Sequence, residues 1–151
     1  MKFYTSYFYQ LRFFPPNLIP ISTAKWDPKW FKLGFDKRGV MNGLRAPVLV
    51  LPDNWNNVEI ECEKNCEKVP FECNFMKAYD NYLHTLDFKD VYSRAIDLGQ
   101  RVMAAAGRID KDFDIVLLVH EPASCKCAER PILQKWFREN GVEIKEWTTK
   151  N

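Results

Sequence analysis

The feature that most constrains the fold is the uninterrupted apolar run DIVLLV at Asp114–Val119. A continuous apolar strand is typical of a parallel sheet covered on both faces, because neither row of its side chains can face water. Lys2–Phe8 and Leu18–Ser22 are also rich in strand formers, and Val142–Trp147 predicts another strand. Ala46–Leu51 has the composition of an extended segment. The sequence therefore predicts a sheet with Asp114–Val119 at its centre.

Three segments carry apolar residues at the spacing of amphipathic helices: 75–86, 91–106 and 130–140. Glycines at 107 and 141 follow the last two segments and suit helix ends. The strand–helix–strand order from Ile115 to Trp147 predicts a parallel βαβ unit. We therefore predict a three-layer, Rossmann-like α/β sandwich with a mainly parallel sheet, built as one domain over residues 1–151.

No stretch of the sequence approaches the roughly 20 apolar residues that a membrane-spanning helix needs. The aromatic first segment is interrupted by polar residues and by Pro15–Pro16, unlike the apolar core of a signal peptide. We therefore expect a cytoplasmic protein without a membrane partner.

Charge is unevenly distributed, although the formal net charge is only +2. Residues 1–48 carry eight Lys/Arg and two Asp, whereas residues 52–73 carry six Asp/Glu and two Lys. The first third is also rich in aromatic residues, namely Phe3, Tyr4, Tyr7, Phe8, Tyr9, Phe13, Phe14, Trp26, Trp30, Phe31 and Phe35. Basic residues among aromatic ones are typical of surfaces that stack on nucleic-acid bases. The default interpretation is an aromatic core beside solvated lysines.

Ligands of open parallel sheets bind beyond the carboxyl ends of the strands, where loops lead into helices. The segment HEPASCKCAER at 120–130 follows the predicted central strand and combines an imidazole, two carboxylates, two thiols and a guanidinium. Glu121, His120 and Arg130 are the candidate catalytic residues, the first two for proton transfer and the last for an anion. Ser22, Lys25 and Arg130 are the candidate ligand-binding residues, and we expect them to converge on one pocket. The alternatives are a surface salt bridge for Arg130 and a packed side chain for His120.

Five cysteines cannot all pair as disulfides, and nothing in the sequence indicates secretion. Cys62, Cys66 and Cys73 occupy a short polar segment, and Cys125 and Cys127 follow the central strand. Four of these five thiolates suit tetrahedral zinc, with an iron–sulfur cluster as the alternative. Unligated thiols and a redox disulfide remain open interpretations.

LLVHE at 117–121, CAER at 127–130 and PILQKWF at 131–137, with ISTAKWDPKWF at 21–31, resemble domain-of-unknown-function family 488. The family pattern is LLC-x-E, then CHR, then an apolar helix with a Trp. This chain differs from it by Val119, Ala128 and Glu129, and by its extra cysteines at 62, 66 and 73. The resemblance implies a cysteine-rich offshoot with a Rossmann-like fold and a site near Glu121 and Arg130. It implies no reaction.

The sequence leaves open whether the protein is an enzyme. One hypothesis is a metal-binding domain that acts on a nucleotide or other phosphorylated or anionic ligand near Glu121 and Arg130. The alternative is a non-catalytic, zinc-stabilised module that binds nucleic acid or a protein partner through its basic, aromatic first third. A structural protein whose cysteines have no role is a third interpretation.

Overall fold

A computed structural model describes residues 1–53, 55, 73–121 and 128–149. Its strands are β1 (Phe3–Tyr7), β2 (Leu18–Ser22), β3 (Gly34–Phe35), β4 (Met41–Asn42), β5 (Asp114–Val119) and β6 (Ile144–Glu146). The α-helices are α1 (Asn74–Leu83), α2 (Phe88–Ala105) and α3 (Glu129–Glu139). Short 3-10 helices cover Phe8–Phe13 and Pro47–Leu49. No helix within these described ranges is both long and apolar enough to span a bilayer.

The main sheet has four parallel strands in the order β2-β5-β1-β6. The prediction of an α/β fold with a mainly parallel sheet and a central Asp114–Val119 strand is confirmed. Ile115, Leu117 and Val119 face one side of β5, while Val116 and Leu118 face the other, and all five are essentially inaccessible to solvent. β3 and β4 form a separate antiparallel pair.

The two faces of the main sheet are covered differently. Buried residues of α1, α2 and α3 pack in one core cluster with Ile115 and Leu117. On the opposite face, Val116 and Leu118 pack with a second set of residues, from the 3-10 helix at Phe8–Phe13 and the segments that follow it: Phe8, Leu11, Phe14, Phe31 and Val40. In the described part of the chain, the α-helices therefore lie on one face, and 3-10 and loop segments cover the other.

Local sequence signals explain the helix boundaries. The Asp87 carboxylate accepts hydrogen bonds from the backbone N–H groups of Lys89 and Asp90 and so caps α2. Gly107 ends this helix with φ of 71°, a left-handed conformation that glycine adopts without steric cost. The Asp87 cap and Gly107 therefore mark the two ends of α2.

The expectation of an extended Ala46–Leu51 segment is wrong, because the structure has a 3-10 turn at Pro47–Leu49. Pro47 has a fixed φ that suits the first position of a helical turn, and the Leu49 N–H donates to the Ala46 carbonyl at 2.9 Å. Just before the turn, residue 45 forms an isolated parallel bridge with Ser22 at the edge of β2. The pairing with β2 therefore ends at residue 45, and the turn follows it.

An ion-pair cluster links α1 to α3. The His84 Nε2 lies 2.7 Å from Glu139, and the His84 Nδ1 lies 2.7 Å from the Asp80 carbonyl oxygen. Lys135 Nζ lies 3.0 Å from the Asp80 carboxylate and 2.7 Å from that of Glu139. The Asp80 carbonyl, followed by Glu139, raises the pKa of His84. Asp80 pairs with Lys135, and His84, four residues later, pairs with Glu139, which also lies four residues later. The two helices therefore run in the same direction.

This cluster predicts a pH-dependent contribution to stability. A histidine whose pKa is raised by folding stabilises fully below its unfolded pKa of about 6.5, and the stabilisation is lost as pH rises through the folded pKa. Because His84 is nearly half exposed, we expect His84→Gln to cost up to about 1 kcal/mol at pH 5.5 and much less at pH 8.5. Urea unfolding at both pH values measures the difference. An equal cost at both would contradict this account of His84.

Candidate functional site

His120 and Glu121 follow β5 and have different neighbours. The His120 ring packs on Phe8, with ring centroids 5.1 Å apart, and its Nε2 contacts the Trp26 carbonyl oxygen. The Glu121 backbone carbonyl accepts a hydrogen bond from Arg130 at 2.6 Å. Phe8 belongs to the core cluster of the loop-covered face, whereas Arg130 belongs to α3 on the other face. The predicted imidazole and carboxylate thus lie in separate environments.

Arg130 is 5% exposed and forms an ion pair with Glu146 at the end of β6. Thr5 Oγ1 donates to the Glu146 carboxylate at 2.8 Å, and Gln134 Nε2 donates to Thr5 Oγ1 at 2.8 Å. Burial raises the pKa of Glu146, although Arg130 and the Thr5 hydroxyl oppose the shift. We define the buried polar cluster as Thr5, Glu121, Glu129, Arg130, Gln134 and Glu146. It joins β1, β6, α3 and the segment after β5.

Two carboxyl groups of this cluster interact directly. Burial raises the pKa of Glu129 to about 7, and the neighbouring Glu121 carboxylate adds to the shift. Two carboxyl groups close together do not both ionise readily, so Glu129 keeps its proton more readily than an exposed glutamate does. Such a pair can exchange a proton with a bound molecule, which is the chemistry of a general acid or base. Glu121 and Arg130 lie together, because the Arg130 guanidinium donates to the Glu121 backbone carbonyl.

Ser22 is the last residue of β2 and Lys25 follows that strand, at the other edge of the sheet from β6. The Ser22 hydroxyl donates to Asp27, and Lys25 forms an ion pair with Asp53. Three inter-strand spacings separate β2 from β6, which amounts to about 14 Å. The predicted convergence on one pocket is therefore not observed, because a parallel sheet fixes the spacing of its strand ends and Arg130 is drawn to Glu146 on the far strand.

Of the candidate metal ligands, Cys73 belongs to the described residues. The other four lie outside them: Cys62, Cys66, Cys125 and Cys127. Cys73 is buried and occupies the N-cap of α1, where its Sγ accepts a hydrogen bond from the Met76 N–H at 3.4 Å. The Cys73 thiol therefore caps the first turn of α1.

The described residues also contain an Asp80, His84 and Glu139 group whose side-chain ligand atoms lie within 4.8 Å of one another. Lys135 Nζ contacts both carboxylates of this group. An ammonium ion in that position supplies the positive charge that a metal would otherwise supply. We therefore interpret the group as interhelical ion pairs.

A surface within the basic, aromatic first third lies beside His120. The Trp26 and Trp30 side chains are 73% and 56% exposed, and Lys25 and Lys29 are exposed next to them in the sequence. Lys25 Nζ lies 5.9 Å from the Trp26 ring centroid. His120 contacts the Trp26 backbone carbonyl and the Phe8 ring, and Phe8 meets the Trp30 indole edge-on at 6.2 Å, so the Trp26 backbone and the Trp30 ring lie around the same two residues. We call Lys25, Trp26, Lys29, Trp30 and His120 the aromatic–basic surface.

Comparisons with protein-family models, curated proteins and solved structures find no match. The default expectation for the aromatic first third is met only in part, because Phe3, Phe8, Phe14 and Phe31 are in the core while several other aromatic residues are exposed: Tyr9, Phe13, Trp26, Trp30 and Phe35. In the sequence, the alternation of lysine and tryptophan in KWDPKWFK is the feature that indicates these two exposed tryptophans.

Proposed function

We propose that this protein is a zinc-stabilised α/β module that binds single-stranded nucleic acid through the aromatic–basic surface. The observation that carries the proposal is the exposure of Trp26 and Trp30 among lysines at the carboxyl edge of the sheet. Large aromatic side chains are costly to leave in water, and exposed ones grouped together mark interaction sites. Every nucleic-acid base has a flat face on which an indole can stack, while lysines contact the phosphates.

The charge of the neighbouring segment favours a polyanion as the partner. Residues 25–38 carry five Lys/Arg, and their two acidic residues, Asp27 and Asp36, are engaged by Arg45 and Arg38. The lysines at 29 and 32 are exposed. Arg130, in contrast, is buried against Glu146, so the positive charge that a ligand meets at this edge comes from the lysines. This distribution supports binding along an extended phosphate backbone.

A salt titration tests the proposal. We expect a fluorescein-labelled oligothymidylate of about twelve nucleotides to bind, with an affinity that falls steeply as salt rises. A Lys29→Ala/Lys32→Ala variant should weaken binding and reduce the slope of log affinity against log salt by about one to two. Lys111→Ala, at an exposed lysine after α2, is the control and should leave the slope unchanged. A slope near zero in the parent protein would contradict phosphate binding.

The zinc proposal draws its support from helix direction. Because α1 and α3 run in the same direction, their N-terminal ends lie at the same end of the helix pair. Cys73 caps α1, and Cys127 directly precedes Ala128, the N-cap of α3, in the sequence. The zinc proposal therefore takes Cys73 from the first group together with Cys127 from the second. Cys62, Cys66, Cys73, Cys125 and Cys127 supply one more thiolate than a tetrahedral zinc site requires.

Metal analysis tests this part of the proposal. Protein purified without added metal should contain about one zinc per chain and lack visible colour, and Cys66→Ala should reduce the zinc content and the melting temperature. Iron with a visible absorption band would instead indicate the iron–sulfur alternative. Metal-free protein with an unchanged melting temperature after chelation would contradict both the zinc site and the iron–sulfur cluster.

One observation favours a second function, an enzyme acting on a small anionic ligand such as a nucleotide. The Glu121–Glu129 carboxyl pair lies beside Arg130 at the start of α3, where the helix dipole favours anions. In this case inorganic phosphate or a nucleoside monophosphate should raise the melting temperature, and Glu129→Gln should change that response. Equal melting temperatures with and without these ligands would favour the binding module.

We also propose kinship with domain-of-unknown-function family 488 and a cytoplasmic location. The matched residues Glu121 and Arg130 are hydrogen-bonded to each other, and the matched Leu117, Leu118 and Trp136 are buried. These contacts support the resemblance. On this proposal the fold is a three-layer, Rossmann-like sandwich whose second outer layer is built from the 3-10 helix and the loop residues around 31–40.

A further inference from the structure

A cavity of about 330 Å³ lies between the sheet and α2, away from the aromatic–basic surface. The side chains around it that lie deepest in the protein are apolar and almost fully buried: Phe3, Ile21, Leu49, Leu117 and Phe137. Protein interiors are close-packed and contain few voids larger than one water molecule. This cavity has the volume of about eleven waters at about 30 Å³ each, which is the size of a small ligand site.

Two arginines line the same cavity. Arg45, before the turn at Pro47–Leu49, and Arg94, on α2, are both exposed at its rim. Arg94 forms an ion pair with Asp90 one helical turn away, and both side chains are more than half exposed. Such exposed pairs are weak, so the Arg94 guanidinium can turn to another anion at little cost. The Arg45 guanidinium already donates to Asp27 and to the Ala24 carbonyl, so Arg94 is the cation at the rim that can accept a new partner.

We propose that this cavity binds a small amphipathic carboxylate, with an alkyl chain among the buried apolar side chains and the carboxylate at the Arg94 guanidinium on the rim. The apolar interior matches a hydrocarbon chain and excludes a polar molecule, because the burial of unpaired polar atoms is unfavourable. A guanidinium group matches the planar geometry of a carboxylate. This inference does not rest on the proposed nucleic-acid function, since none of its residues belongs to the aromatic–basic surface.

Octanoate, with about ten non-hydrogen atoms, is the probe of choice for a cavity of this size. Isothermal titration calorimetry of the full chain should give a Kd below about 1 mM, with 1-octanol binding more weakly. Arg94→Gln should weaken octanoate binding about fivefold and leave octanol binding unchanged. Arg101→Gln is the matched control, because Arg101 is exposed on the same helix and pairs with Asp97 in the same way.

A second variant tests the position of the alkyl chain. Ala95 lines the cavity on α2, so Ala95→Phe should fill it and reduce octanoate binding more than tenfold. Ala104→Phe, at an exposed position on the same helix, should bind as the parent does. The proposal would be overturned by equal affinities for octanoate and octanol, by binding that Ala95→Phe leaves intact, or by no binding at millimolar octanoate.

Discussion

Replacing Arg130 by alanine is expected to lower the free energy of unfolding by about 3–5 kcal/mol. The substitution removes the ion pair with Glu146 and the hydrogen bond to the Glu121 carbonyl. The Glu146 carboxylate would then be left in a largely buried position, where burial already raises its pKa. A buried charge without its partner is more costly than the pair was stabilising. Urea unfolding at pH 7 measures the change.

Two further variants separate the ion pair from general effects of losing an arginine. Arg101→Ala removes an exposed arginine that pairs with Asp97 on α2, and it should cost no more than about 0.5 kcal/mol. Adding Glu146→Gln to Arg130→Ala should recover part of the loss, because the side chain left behind is then neutral. A loss below about 1 kcal/mol for Arg130→Ala would show that the buried polar cluster does not hold α3 to β6.

Trp26→Ala and Trp30→Ala are each expected to weaken oligothymidylate binding about tenfold, and together about a hundredfold. Stacking of a base on an aromatic side chain contributes about 1–3 kcal/mol, and about 1.4 kcal/mol corresponds to a factor of ten in affinity. The Trp26 side chain is largely exposed, so its removal should change stability little. Fluorescence anisotropy at fixed salt measures the affinities.

Ile109→Ala is the matched control for Trp26→Ala, because Ile109 is a large apolar residue with the same 73% exposure, located between α2 and β5. It should bind the oligonucleotide as the parent does. If Ile109→Ala and Trp26→Ala weaken binding equally, the effect is not stacking at the aromatic–basic surface, and the location of the site is wrong.

The elements of the fold were predictable where local signals dominate. β2 and β5 have the predicted bounds. In each case a change from apolar to polar residues in the sequence marks the end of the buried strand. The bounds of α3 differ by one residue from the prediction, because Pro131 and Gly141 mark its two ends. Ala46–Leu51 was mispredicted because its apolar composition suits both a strand and a buried 3-10 turn.

The candidate site was less predictable, because it depends on strand order and on the face to which each side chain points. The chain sequence does not state that β1 lies between β5 and β6, or that β2 and β6 are the outer strands. That order separates Ser22 from Arg130. Nor does composition reveal that Phe8 is buried while Trp26 and Trp30 are exposed, since all three are aromatic residues near basic ones.

The indole N–H signals of the five tryptophans provide the most direct test of nucleic-acid binding at the aromatic–basic surface. In two-dimensional NMR spectra, titration with the oligothymidylate should shift the signals of Trp26 and Trp30. The signals of Trp136 and Trp147 should remain in place, because these side chains are buried in the core. If saturating oligonucleotide leaves the Trp26 and Trp30 signals unchanged, the proposed function is contradicted.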